Sequence, residues 1–383
     1  MKAAFSAPRN SLVDLVRGLG LWILLIDHIQ PDVLSQITPW QLGFSDFAEI
    51  FVFLSGFINA GMYERALRCG GMRGANQKLW SRVGRLYIAH ITTMLVCFGI
   101  LGAAASAKIY VPEPKLYVWM SAPASYLVKT ALLLYNPYLF SLLPLYIVIA
   151  PFMLLSTVGL KRAPRITLGV SAALWCVAQS RLLDLPIATK LEGWYFHPLG
   201  WQFLFVLGEA TQMYWIRVRD AACSRAALWA AGLVVAGTFA LKTLTLIEPL
   251  RQHAVGLAPI VARLIARSAG KGHLAPFRLL HFLALSTLIV AIPWNQKALI
   301  HSRLGAAAIA AGRHSLPVFS VSLVLTICAN LALEYSHGGW MTQIALVAGC
   351  LLAMTGIAYA LDRSGVSNGP DHKRNSLEND QRR

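Results

Sequence analysis

Leu12-Val-Asp14-Leu-Val-Arg17-Gly-Leu-Gly-Leu-Trp-Ile-Leu-Leu-Ile-Asp27-His28-Ile29 is an apolar run broken only by four ionisable side chains. A helix advances about 100° per residue, so the steps from Arg17 to His28 bring the second side chain back to within about 20° of the first. The two stand about 16 Å apart along the axis, around half the hydrocarbon thickness of a bilayer. Asp14 falls about 40° from His28 on the same face. A fixed cation, an acid and a titratable base on one stripe are costly against lipid. They are expected to face a bundle interior and to mark a site. No small-residue cleavage site follows the run, so it is read as a retained first spanning helix, not as a leader peptide.

Working outward, the 383 residues are 56% hydrophobic and 13% charged, with mean hydropathy +0.56. This excludes an ordinary soluble domain and points to an all-α, polytopic membrane protein. Ten spans are expected, at 12–30, 44–63, 84–106, 138–158, 166–185, 201–216, 226–246, 278–294, 314–334 and 341–361. A weaker apolar piece, 124–135, carries Lys129, is too short to cross, and is read as a surface or re-entrant helix on the outer side. The net charge of +17 is not taken as a nucleic-acid signal, because the basic residues sit in short loops and no nucleic-acid-binding motif accompanies them. With both termini cytoplasmic, 22 of the 34 Lys and Arg residues fall on the inner side. The basic connection 247–277 is as long as any on the outer side and is expected to form a folded cap. Residues 1–361 are read as one transmembrane domain and 362–383 as a polar, disordered cytoplasmic tail. The six cysteines show neither metal-ligand spacing nor a disulfide framework and are read as structural thiols.

Two further constellations bear on chemistry. In Phe44-Ser-Asp46-Phe-Ala-Glu49, the two acids share a helix face near the outer end of the second span. Placed at the depth of His28, they would orient it and raise its basicity. The alternative is that they cap the helix start, the end that favours acids. Arg82 and Arg85 lie one turn apart at the entrance to the third span. Such a guanidinium pair suits phosphate or pyrophosphate, although topology alone also favours cations there. Trp194, Tyr195, Trp201 and Trp215 fit an interfacial belt, with Trp194 to Trp201 on the outer side.

The ordered set of motifs resembles the transmembrane acyltransferase superfamily: Arg-x10-His in the first helix, Phe51-Val-Phe-Leu-Ser55-Gly-Phe in the second, and Arg82-x2-Arg85 entering the third. More closely it resembles the OpgC family, the osmoregulated periplasmic glucan succinyltransferases. That likeness rests on Asp14-Leu-Val-Arg17-Gly, Asp27-His28, Gly43-Phe-Ser-Asp46-Phe-Ala-Glu49, Leu143-Pro-Leu-Tyr146 and Trp194-Tyr-Phe-His197-Pro-Leu-Gly-Trp201-Gln202. Arg278-Leu-Leu-His281-Phe and Gly312-Arg-His314-Ser315-Leu complete it. His197 departs from the family, where an amide is expected. The resemblance implies an inner-membrane acyl transfer from cytoplasmic acyl-CoA, with succinyl-CoA as donor, to hydroxyls of a periplasmic glucan. No bound cofactor or metal is implied. His28 would be the base, or a transient acyl carrier, helped by Asp46 or Glu49. Arg17, Arg82 and Arg85 would hold the donor, and Trp194 and Trp201 the glucan. A proton-coupled transporter, or an O-acetyltransferase acting on another surface polysaccharide, is the competing reading. Transporters usually carry internal repeats, and none is visible here.

Overall fold

The computed structural model describes residues 11–29, 34, 38, 43–111, 113, 116–180, 194–246 and 269–364. Among them there are helices and no strand. In chain order the α-helices are α1 (Ser11–His28), α2 (Phe47–Ser106), α3 (Pro123–Ala131), α4 (Leu142–Arg162), α5 (Pro164–Gln179), α6 (Pro198–Met213) and α7 (Trp215–Ala222). Then come α8 (Arg225–Leu246), α9 (Pro276–Ala291), α10 (Gln296–His301), α11 (Arg303–Arg313), α12 (Ser315–Ser336) and α13 (Trp340–Arg363).

Five of these, α2, α4, α8, α12 and α13, are long and apolar enough to cross a membrane. Helix α1 stands outside that set because Asp14, Arg17 and Asp27 interrupt its 18 residues. Helices α5, α6 and α9 have 16 residues each, about 24 Å of rise, somewhat less than a hydrocarbon layer. Large apolar side chains on the outer surface, such as Leu155, Ile216, Trp229, Leu233 and Leu352, are exposed. Asp14, Glu49, Glu209 and Arg278 are buried. An apolar exterior around a polar interior is the pattern of a chain whose solvent is lipid.

Two connections differ from the sequence reading. The second and third expected spans are joined without a loop: α2 continues for 60 residues, and its one non-helical residue is Gly71, at φ 55° and ψ −156°. Side chains of Ser55 and Arg82 nevertheless line the same cavity. On a straight helix they would be about 40 Å apart, so the chain folds back at Gly71 into two antiparallel limbs, 47–70 and 72–106. A positive φ with that ψ is open to glycine and strained for other residues. The second difference is α11, in a stretch expected to be cytoplasmic loop. It reads Arg303-Leu-Gly-Ala-Ala-Ala-Ile-Ala-Ala-Gly-Arg313, and seven of its residues are buried.

Helix crossings explain the small residues. A side chain on Gly18 would collide with the Ala308 carbonyl, and one on Gly312 with the Asp14 carbonyl, so α1 and α11 touch backbone to backbone. Gly56 and Gly208 do the same for α2 and α6, each facing a carbonyl of the other helix, Phe205 and Phe53. This is the small-residue packing that membrane helices use where burial of apolar area gives no drive. Helix α3 is too short to cross, as expected. It lies along the return limb of α2: Trp119, just before it, stacks on Phe98, and the Ala131 carbonyl at its end accepts from the Tyr87 hydroxyl. Asp362, where the tail was expected to begin, is still within α13. Residues 365–383, Met1–Asn10 and most of the expected 247–277 cap lie outside the described residues.

Candidate functional site

A cavity of about 300 Å³ opens where α1, both limbs of α2, α4 and the α11–α12 junction meet. Four arginines line it: Arg17 from α1, Arg82 and Arg85 from the return limb, and Arg313 from the end of α11. No Asp or Glu is among its described lining residues. Arg82 and Arg85 are one turn apart and share a helix face, and the fold at Gly71 carries that face back to Ser55 and Phe51. The Arg82 Nε is buried with no hydrogen-bond partner. Arg17 donates to the Ser315 hydroxyl. Ser315 is the first residue of α12, whose N-terminus has no side-chain cap. The first amides of a helix are unsatisfied and carry its positive end, and Ser315, Leu316 and Pro317 line the cavity. Guanidinium groups and a helix start converging without a carboxylate make a place for a polyanion. The structure thus brings together Arg17, Arg82 and Arg85. It adds Arg313, which the sequence offered only as one more inner-side cation.

His28 ends α1. Its ring Nδ1 is 2.7 Å from the Leu24 carbonyl oxygen. A carbonyl only accepts, so Nδ1 carries the hydrogen and Nε2 is the basic nitrogen. The last carbonyls of a helix need partners, and in a membrane water does not supply them. Here Asn330 of α12 donates to the His28 carbonyl at 2.9 Å, and Gln343 of α13 to that of Ile29 at 2.8 Å. These amides fix the end of α1 and the histidine on it.

Asp46 and Glu49 have partners other than His28. Asp46 is the N-cap of α2: its Oδ1 accepts from the Ala48 amide at 2.8 Å, and Glu49 accepts from the Asp46 amide at 2.8 Å, a capping box. Their other oxygens hold cations of α9 and of the connection that precedes it. Arg278 Nε is 2.6 Å from Glu49 Oε1, Arg278 Nη2 is 2.9 Å from Asp46 Oδ2, and Lys271 Nζ is 2.6 Å from the same Asp46 oxygen. The reason for the missed pairing is depth. The start of α2 packs on α1 at Gly20, which faces Phe47 and Phe51, and His28 lies eight residues, about 12 Å, further along. Burial alone would raise the Asp46 carboxyl, but Lys271 and Arg278 hold it well below the usual carboxylate range. Burial opposes the charge on Lys271, yet the Asp46 carboxylate raises its pKa above the ordinary lysine value. Beside this cluster His281 sits with Nδ1 2.6 Å from the Ser45 hydroxyl.

The aromatic expectation also changes. Trp201 has no exposed surface, donates to the Lys271 and Gly272 carbonyls at 3.0 and 3.1 Å, and packs edge-on against Phe196. It is core, and its faces are closed to a sugar. Trp194 is partly exposed. His197 is fully buried, with its ring stacked on His273 at 4.7 Å. One buried acid went unnoticed in the sequence: Glu209 of α6, which accepts from the Ser156 and Thr157 hydroxyls of α4. A carboxylate inside an apolar 16-residue helix was the available signal.

The family model described as OpgC protein matches residues 9–365, nearly the whole chain. No curated protein and no solved structure matches.

Proposed function

The chain belongs to the OpgC family, and from that we propose that it is an integral inner-membrane O-acyltransferase. It moves an acyl group, succinyl in this reading, from cytoplasmic acyl-CoA to hydroxyls of a periplasmic glucan. The observation that carries the proposal is the convergence of Arg17, Arg82 and Arg85 on one cavity, with His28 on the face of α1 that Arg17 occupies, about 16 Å away. Ten crossings with both termini cytoplasmic put the cavity at the inner side and His28 towards the outer side. The guanidinium groups then hold the nucleotide phosphates, and the pantetheine arm runs along the α1 stripe to His28.

At His28 the chemistry is one proton transfer and one substitution. Nε2 removes the proton from a glucan hydroxyl as that oxygen attacks the thioester carbonyl. The tetrahedral intermediate collapses, the carbon–sulfur bond breaks, and the thiolate takes the proton from the imidazolium and leaves as CoA. The Leu24 carbonyl holds the tautomer throughout. Asp46 and Glu49 take no part in this step; they hold the entrance of α2 to α9 and to the outer connection.

The test is mass spectrometry of periplasmic glucans from cells carrying the wild type, His28→Ala, or neither. The expected result is succinyl mass with the wild type alone, and a His28→Ala protein that inserts at normal levels with at least ~10²-fold less transfer. Glucans identical with and without the protein would sink the proposal. Full substitution by His28→Ala would remove the histidine from it.

A further inference from the structure

We infer that Arg313 is a fourth donor-binding residue, and that it reads the separate phosphate at the adenosine end of the donor. The inference rests on the donor reading above and goes beyond it by dividing the cavity into subsites. Arg82 and Arg85 are adjacent on one helix face, so they match two phosphates joined in a pyrophosphate. Arg17 and Arg82 are partly buried, whereas Arg85 and Arg313 are exposed at the rim. Arg313 comes from a different element, the end of α11, and stands beside the uncapped start of α12. A cation at the rim, apart from the paired arginines, matches an anion that the nucleotide carries apart from its pyrophosphate. The 3′-phosphate of CoA is such a group; dephospho-CoA lacks it, and a carrier-protein thioester has only one phosphodiester.

Arg313 already has a partner. Its Nη1 is 3.4 Å from the Asp362 carboxylate, with both side chains partly exposed, the kind of pair that contributes little and exchanges easily. Asp362 is closer to His314, at 2.8 Å, and so keeps the α11–α12 junction in place when Arg313 turns to a phosphate. The Gly312–Asp14 contact leaves the backbone before Arg313 no room to drift.

The experiment is calorimetric binding of CoA and of dephospho-CoA to the full-length, detergent-solubilised protein. The wild type is expected to bind CoA about tenfold tighter than dephospho-CoA. Arg313→Gln is expected to abolish that difference while binding dephospho-CoA as the wild type does, which also shows that the variant is folded. If Arg313→Gln keeps the preference, the assignment is overturned. Equal loss of both ligands overturns it too, because the residue would then not read one phosphate. If the wild type binds neither compound, the donor reading itself fails, and this inference falls with it.

Discussion

Two groups of charge lie inside this bundle, and they are built on opposite plans. Around Asp46 and Glu49, two acids face two cations, Arg278 and Lys271, at 2.6–2.9 Å. Every charge in that cluster has its complement, and it also caps a helix and ties the connection before α9 to the start of α2. Around Arg17, Arg82, Arg85 and Arg313, four cations line a cavity with no carboxylate among its described lining residues; the acid beside Arg313, Asp362 at 3.4 Å, lies outside that lining. A closed set of charges is a fastener. An open set of one sign is a socket, stable only beside water or a ligand that brings the opposite charge. The sequence reading gave the acids to catalysis because it ranked buried charge as functional without asking whether that charge is already neutralised.

The contrast is most exposed at Arg278. Removing one partner of a buried pair strands the others, so Arg278→Ala is expected to cost about 3–5 kcal/mol of stability. Thermal unfolding of the solubilised protein reads this directly. A variant of normal stability that had lost transfer would move Arg278 from fastener to chemistry and break the comparison. In the cavity the sign reverses. Arg82→Ala and Arg85→Ala should each raise the apparent KM for acyl-CoA about tenfold, with the KM for glucan unchanged. Both variants should leave the ligand-free protein at least as stable, since they relieve like-charge repulsion. Unchanged donor dependence would reduce the pair to a topological signal.

The smallest effect is a flat line. The Asp46 contribution is present above the unfolded carboxyl value of about 3.9 and is lost as pH falls through its lower folded value. That of Lys271 is present below about 10.4 and is lost as pH rises through its higher folded value. The gap in melting temperature between wild type and Asp46→Asn should therefore be constant from about pH 5 to about pH 9. A gap that changes between those limits would mean that a group coupled to Asp46 titrates within that range and that the cluster is looser than its distances.

What the sequence revealed, and what it hid, follows from range. The Arg17–His28 register and the Arg82–Arg85 spacing are local consequences of helical pitch, and both were legible. Arg278 meets Glu49 across 229 positions, and no local pattern announces such a partner. Helix α11 was hidden for another reason: its alanines and glycines are chosen for close backbone approach, which leaves no strong hydropathy signal. Trp201 was misjudged because an aromatic near a span end looks the same whether it meets headgroups or core. Arg313 was counted and passed over because a loop cation fits the inside-positive bias without further explanation.

Gly71 ties much of this together. Because a single left-handed residue, and no flexible segment, turns α2 back on itself, the distance from Ser55 to Arg82 is set by the rigidity of two helical arms and the angle of one joint. Tuning of the socket thus has its handle far from the ligand. A side chain at that joint would carry backbone strain, and relieving it by opening the angle would swing both return-limb guanidinium groups outward like the blade of a jackknife, emptying the pocket without touching it.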